Sequence, residues 1–277
     1  MAILLEGKAP AGRINAETAA YASQNELTLA VIQVGDDPAS KAYREAKKRL
    51  ANKTGIIFEE YLFDTFVPVH EIEGLIRQLN SREEITGIFI EQPLPRGYDP
   101  VRLLELVNPL KDIDGVTAAN GANLYFNRPG LFPATAESLM RILDFYKIDP
   151  RGREAVVVGR SNIVGKPAAL LLLHRHATVT VCHSRTRSLK EVVQRGDIVV
   201  AAVGKPELLK GNFFKKGAVV LDAGYNVIDG KAEGDVDFNG ALENVSAITP
   251  VPGGVGSVTT ASLFHNLVKA HQLQYGT

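Results

Sequence analysis

Cysteine occurs once in this chain of 277 residues, at Cys182. A single thiol excludes an intramolecular disulfide framework and fits a reducing compartment. Net charge is missing as well: 31 Lys and Arg balance 31 Asp and Glu. No overall field therefore draws the chain to nucleic acid or to an anionic membrane. No apolar run approaches the length of a membrane span. The opening residues Met1 to Glu6 are too short and too soon acidic for a signal peptide. Internal repeats, low-complexity tracts and long charge runs are absent too. What is present is 45% hydrophobic and 22% charged residues, over a length that forms one large or two ordinary domains. These bounds point to a cytoplasmic enzyme.

Strand-like and helix-like segments alternate along the chain. Leu27 to Val34 reads as a buried strand, Ser40 to Asn52 as a helix, Ile57 to Phe63 as a strand and Val69 to Leu79 as a helix. Ile85 to Ile90 is a further strand and Pro100 to Leu106 a helix, with proline tolerated at its first position. Ala118 to Pro133 has no clear period and reads as a crossover between domains, followed by a helix over Thr135 to Tyr146. The second half repeats the pattern, with strands at 154–158, 177–181, 197–203 and 218–223 and helices at 166–174 and 188–194. Val245 to Ile248 is a short apolar piece, and Thr260 to Leu273 a last helix that could pack back on the first domain. The expected architecture is α/β in two domains, with parallel sheets and ligands at the carboxyl ends of the strands in a cleft between the domains.

The strand Glu154 to Val158 breaks into Gly159-Arg160-Ser161-Asn162-Ile163-Val164-Gly165-Lys166-Pro167 and then a leucine-rich helix. Such a turn offers backbone N–H groups and a helix N-terminus to a phosphate. The spacing is not G-x-G-x-x-G, and a glycine turn alone also serves packing. The neighbouring strand ends add weight. Cys182-His183-Ser184-Arg185-Thr186 places Ser184 and Arg185 where an NAD site carries an acid for the ribose hydroxyls, which suits the 2′-phosphate of NADP. Gly204 and the Ala223-Gly224-Tyr225-Asn226 segment end the next strands with small residues that admit a flat ring. His174 and His176 lack a carboxylate or thiol at ligand spacing and read as helix C-terminal residues rather than a metal pair. Cys182 reads as a small buried residue without a partner base.

In the first half, Ser40, Tyr43, Lys47 and Leu50 share one helix face. An aromatic ring one turn before a lysine can hold a flat substrate against an amine; on this evidence alone an ordinary amphipathic helix with a snorkelling lysine is the better reading. Glu91-Gln92-Pro93-Leu94-Pro95 ends a strand with polar groups, and Lys111-Asp112-Ile113-Asp114-Gly115 places two carboxylates in a loop.

Together with VGDDPAS, VVVGRSNIVGKP, CHSRT, AAVGKPEL, GAVVLDAGYN and TPVPGGVGSVT, these segments resemble the bifunctional methylenetetrahydrofolate dehydrogenase/methenyltetrahydrofolate cyclohydrolase family over nearly the whole chain. The resemblance implies a folate-binding catalytic domain over 1–118 with 260–277, and a Rossmann-like NADP-binding domain over 119–259. It also implies a homodimer, and oxidation of a tetrahydrofolate one-carbon unit with NADP followed by hydrolysis. Carried over motif by motif, Ser40 and Tyr43 face the substrate, with Tyr43 stacking on the aminobenzoyl ring. Lys47 is the catalytic amine and Asp114 accepts paired hydrogen bonds from the pterin edge. Pro252, Gly253 and Gly256 shape the wall where pterin and nicotinamide meet. Thr135, Arg160, Ser161, Ile163, Ser184 and Thr259 line the cofactor, beside Gly159, Gly165, Arg185, Gly204 and Tyr225 of the turns above.

The chain departs from the family pattern at Glu91, which stands where Gln-Leu-Pro-Leu-Pro has the glutamine that contacts the lysine. A carboxylate beside Lys47 favours the ammonium and is expected to raise its pKa, weakening the hydrolytic step unless Glu91 itself serves as base. A monofunctional NAD(P)-dependent dehydrogenase is the alternative this supports. Pro133-Ala134-Thr135-Ala136-Glu137-Ser138 and Ser257 depart from the family motifs near the expected cofactor. A silent folate- or nucleotide-binding regulator and a dehydrogenase of hydroxy or amino acids are the remaining readings.

Overall fold

Two elements that the sequence pattern does not announce start the chain: strand β1 (Ile3–Leu4) and helix α1 (Lys8–Ala22) in the computed structural model, which describes residues 2–276. Pro10 and Gly12 in the first turns of α1 hide its helical period. The chain divides into two units, one of Arg13–Phe132 with Leu263–Thr277, the other of Met1–Gly12 with Pro133–Ser262.

The first of these carries β2 (Thr28–Val34), α2 (Pro38–Thr54), β3 (Ile57–Phe63), α3 (Val69–Ser81), β4 (Gly87–Ile90), α4 (Pro100–Glu105) and α5 (Ala118–Tyr125). Its sheet has the order β3-β2-β4 and is parallel throughout. All seven residues of β2 are buried, which is why the strand reads as an unbroken apolar run. Ile72, Ile76 and Leu79 of α3 pack with Ala30, Ile32, Ile88 and Ile90 of the sheet and Leu103 of α4. The limits of α2 follow from its ends. The Asp37 carboxylate accepts from the Ser40 N–H at 2.8 Å, Pro38 opens the helix, and Gly55 closes it at φ 76°. The segment expected to be irregular, Ala118 to Pro133, instead contains α5, capped by the Thr117 hydroxyl. Asn120 and Gly121 in so short a helix mask its period.

The other unit holds α6 (Ala134–Phe145), β5 (Glu154–Val158), α7 (Gly165–His174), β6 (Thr178–Cys182), α8 (Leu189–Val193), β7 (Ile198–Ala201), β8 (Ala218–Asp222), β9 (Asn226–Ile228), β10 (Lys231–Glu233), α9 (Phe238–Ala241) and β11 (Val245–Ile248). Its six-stranded sheet runs β1-β11-β8-β7-β5-β6, with every pairing parallel. The chain moves outwards from β5 to β6 and then crosses back to β7, so β5 stands at the reversal of strand order where such sheets bind ligands. The hairpin β9–β10 turns at Asp229 and Gly230, both at positive φ (49° and 76°). Helix α10 (Val255–Tyr275) starts five residues before the expected Thr260. Its residues from Leu263 onwards belong with the first unit, where Asn266 and Gln274 bond to loop carbonyls.

Candidate active site

Helix α2 presents Tyr43 and Lys47 one turn apart, and the two differ sharply in exposure. Tyr43 is 51% exposed, whereas Lys47 is 3% exposed. A buried ammonium needs partners, and Lys47 has them. Its Nζ donates to both oxygens of Glu91, at 2.7 and 2.9 Å. It also lies 4.4 Å from the centre of the Phe89 ring and 5.1 Å from that of Tyr43, a cation held between aromatic faces. Glu91 follows β4 directly, and its N–H donates to Ile32 O at 2.9 Å, so the sheet fixes the carboxylate. Phe89 was not singled out from the sequence; its place two residues before Glu91, on the same side of the chain, is the signal that marks it. Ser40 is buried and already engaged, its hydroxyl 3.0 Å from the capping Asp37 carboxylate and 3.4 Å from Gln92 O.

The electrostatics correct the expected rise in the Lys47 pKa. Burial holds Lys47 below the usual lysine range and outweighs Glu91, which acts in the expected upward direction. The same burial pushes the Glu91 carboxyl up, against the pull of Lys47. Both shifts favour the neutral amine and the neutral acid, so moving the proton across the 2.7 Å contact is eased from both sides. The sequence showed the carboxylate but not the depth at which the pair sits.

The segment from Lys111 to Gly115 sorts its charges into scaffold and working group. Lys111 Nζ donates to the carbonyls of Leu79, Asn80 and Arg82 at the end of α3. Asp112 accepts from the N–H groups of Gly115 and Thr117 and from Asn120 Nδ2. Asn266 Nδ2 holds the Ile113 carbonyl at 2.9 Å. Asn120 and Asn266 are thus positioning residues that sequence reasoning missed, because their partners are more than a loop away. Asp114, predicted to bind the pterin edge, takes no part in these loop contacts. Burial first, and the Asp112 charge second, push its carboxyl up to about 7.

That shift has a stability consequence. The folded state holds the Asp114 proton more tightly than the unfolded chain, whose reference value is 3.8. The stabilising contribution is therefore full at low pH and is lost as pH rises towards about 7. Asp114→Asn, which cannot ionise, is expected to stabilise the protein by on the order of 2–4 kcal/mol at about pH 8, and by less at about pH 5. Urea denaturation at the two pH values checks it; an equal change at both would mean that the Asp114 charge is not the cause.

In the other unit Gly159 to Gly165, Ser184, Arg185, Gly204 and Tyr225 follow the carboxyl ends of parallel strands, while Thr135 and Thr259 lie in α6 and α10. Gly159 follows β5 at φ 127°, and a Cβ there would lie 2.0 Å from Ala202 O. A Cβ on Gly165 would lie 2.3 Å from Gly159 O. Both glycines are required for the turn to close on itself and on the end of β7. The Ser161 hydroxyl accepts from the N–H groups of Val164 and Gly165, anchoring the start of α7, while Arg160 and Ile163 are exposed. After β6, Ser184 and Arg185 are exposed on a turn closed by His183 N–H to Thr186 Oγ1 at 2.8 Å. Among the described residues, no carboxylate pairs with Arg160 or Arg185. Two unpaired guanidiniums with no acid at the end of β6 fit a phosphorylated ribose better than a bare one.

Gly204 follows β7 at φ 66°, and Tyr225, 62% exposed, follows β8. Thr135 stands at the start of α6; its carbonyl accepts from Ser138 Oγ, which lies 3.4 Å from Thr259 Oγ1. Pro252 and Gly253 are exposed between β11 and α10, and Gly256 is exposed in the first turn of α10. Gly7 was not anticipated here: its N–H donates to Gly253 O at 2.7 Å, and a Cβ on it would lie 2.1 Å from Gly254 O. His174 closes α7 and His176 follows at φ 64°, at the opposite end of that helix from the Gly159–Gly165 turn.

A parallel sheet with a glycine turn and free arginines on its carboxyl edge, in a chain that also buries a lysine against a carboxylate, defines a dinucleotide-dependent enzyme with an acid–base centre. The chain belongs to the tetrahydrofolate dehydrogenase/cyclohydrolase family. The catalytic-domain model of that family matches residues 5–114, and its NAD(P)-binding-domain model matches residues 133–275. The bifunctional protein FolD of Pelobacter propionicus is 44% identical over 276 residues, which cover 98% of each chain. Among solved structures, the bifunctional FolD methylenetetrahydrofolate dehydrogenase/cyclohydrolase of Campylobacter jejuni superposes with a TM-score of 0.96 at 37% identity, covering 99% of this chain and 100% of that one. The Trypanosoma brucei enzyme, solved with NADP and an inhibitor, gives 0.93 at 31% identity, covering 100% and 99%.

Proposed function

We propose that the protein oxidises 5,10-methylenetetrahydrofolate to the 5,10-methenyl form and hydrolyses that product to 10-formyltetrahydrofolate, with Lys47 as the acid–base group. The observation that carries this reading is the Lys47–Glu91 pair, buried between two aromatic rings and driven towards its neutral form. NADP, when bound, accepts the hydride. Gly159, Arg160, Ser161, Ile163 and Gly165 would hold its phosphates, Ser184 and Arg185 its 2′-phosphate, and Gly204, Tyr225, Thr135 and Thr259 its remaining surface. The methylene carbon lies between two nitrogens whose lone pairs stabilise the cation formed, so oxidation asks mainly for orientation. Tyr43 and Asp114 supply it on the folate side, with Ser40 fixing the start of α2 and Pro252, Gly253 and Gly256 shaping the pterin wall.

Hydrolysis asks more of the chain. Once its ammonium proton is lost, Lys47 Nζ takes a proton from water as the water oxygen bonds to the methenyl carbon. The bond from that carbon to N5 then breaks, N5 gains a proton, and one proton in all is released to solvent. Burial of the pair supports this route over the monofunctional alternative, whose main support was a lysine locked as ammonium. A homodimer working in the cytoplasm completes the reading; the single buried thiol Cys182 accords with that compartment.

Purified enzyme with methylenetetrahydrofolate and NADP is expected to form NADPH in step with substrate loss, with only a transient methenyl chromophore. Persistent methenyl product would leave the dehydrogenase alone. No NADPH at saturating substrate would return the chain to a binding role.

A further inference from the structure

Two buried aspartates in the Pro133–Ser262 unit have no part in the chemistry above. Asp222, the last residue of β8, is 3% exposed, and Asp235, just after β10, is 0% exposed. No cation pairs with either among the described residues. Carboxylates buried without a counter-charge cost several kcal/mol unless N–H donors surround them, and here donors do. Asp235 Oδ2 accepts from the N–H groups of Val203 (2.5 Å) and Gly204 (3.0 Å), and its Oδ1 from Lys205 N–H (2.8 Å) and Asn226 Nδ2 (3.1 Å). Asp222 accepts from Gly224, Asp235 and Val236, while its own N–H donates to Thr249 Oγ1 at 2.7 Å.

The surrounding sequence is shaped to this arrangement. A Cβ on Gly224 would lie 2.3 Å from Asp235 Cγ, and one on Gly234 would lie 2.0 Å from Asp222 Oδ2. Both glycines admit a carboxylate where any side chain would displace it. The two aspartates join the loop after β7, the loop after β8, the segment after β10 and the threonine that opens Thr249-Pro250-Val251-Pro252. Gly204 and Tyr225 lie inside those loops, and Gly253 follows close behind. Three successive N–H groups converging on one point form a nest for an anion. In the Val203–Lys205 loop that nest is filled from within by Asp235, so it is closed to a phosphate.

We infer that Asp235 and Asp222 are positioning residues for the cofactor: they clasp the loops after β7 and β8 in one arrangement and reserve phosphate binding for the Gly159–Gly165 turn. The inference rests on the NADP role of this sheet edge. In Asp235→Asn the amide nitrogen must face N–H donors in either orientation, so one pair of contacts is lost. The Kd for NADP, titrated by calorimetry, is expected to rise at least tenfold, with kcat for NADP reduction falling less than threefold. Hydrolysis of added methenyltetrahydrofolate, which uses no cofactor, is expected to stay within twofold of the unaltered protein.

Proportional loss of both activities would make the clasp a fold requirement only and overturn the inference. So would an unchanged Kd in a folded variant. Asn226→Ala, which removes a single contact to Asp235, decides the matter if Asp235→Asn does not fold: a rise in Kd of about two- to fivefold supports the clasp, and no rise overturns it. Unaltered protein that binds NADP without reducing it would refute the proposed reaction and leave this inference standing. Failure of the unaltered protein to bind NADP would sink both.

Discussion

Lys47→Gln is expected to lower the hydrolytic rate by about 10²–10⁴-fold while the rate of NADP reduction falls less than about tenfold. The separation follows from what each step requires. Water addition needs a group at the Lys47 position that can hold and release a proton, and a glutamine amide cannot. Oxidation needs the folate oriented, the part proposed above for Tyr43 and Asp114, which the substitution leaves in place. Glutamine keeps an N–H donor for Glu91, so the buried carboxylate is not stranded. The check is a parallel assay of NADPH formation and of methenyl hydrolysis on one preparation. Equal losses in the two assays would show that Lys47 orients the substrate rather than moving protons.

The second large effect is expected at Glu91, and it appears in the pH profile. Hydrolysis needs Lys47 neutral, so its rate climbs with pH through the Lys47 pKa. Glu91 raises that pKa and burial lowers it, with burial the larger cause. Glu91→Gln removes only the opposing charge, so the Lys47 pKa falls further and the rising limb moves to lower pH. Below the limb the variant is the faster enzyme. Glu91→Leu is harsher, since it leaves Lys47 buried without its ion-pair partner, and is expected to cost roughly 3 kcal/mol of stability wherever the amine is charged. A limb that stays in place in Glu91→Gln would mean that the titrating group is not Lys47.

Much of the architecture was legible because it obeys local rules. The strand over Ile57–Phe63 was read to the residue, and α2 within two residues at each end, since Asp37, Pro38 and Gly55 mark it chemically. Helix α1 escaped because Pro10 and Gly12 interrupt its pattern, and α5 because it is short and rich in asparagine. The hairpin β9–β10 was available: Asp229-Gly230 is a turn signal that went unused. At the site, the roles of Tyr43, Lys47, Glu91 and Asp114 came from the resemblance of their motifs to the family, since residue types and spacing alone favour an ordinary amphipathic helix. The protonation preference of Lys47 was not readable, because it depends on how deeply β4 and α2 bury the pair. Asp235, Asn266 and Gly7 lay beyond reach for a similar reason. Each acts on backbone groups whose nearness is created by the fold rather than by the neighbouring sequence.

Gly7 and β1 also bear on how the protein is made. Strand β1 pairs only with β11, Ile3 opposite Ala247 and Leu4 opposite Ile248, and Gly7 packs on Gly254. The residues of β1 therefore leave the ribosome long before those of the strand they pair with. Until Val245–Gly254 is synthesised, β1 has no neighbour, and the helices and strands of Arg13–Phe132 can form in the meantime. Closing so long a loop is slow relative to local pairing. The edge of the nucleotide-binding sheet is thus translated long before its partner and is among the last elements to be placed.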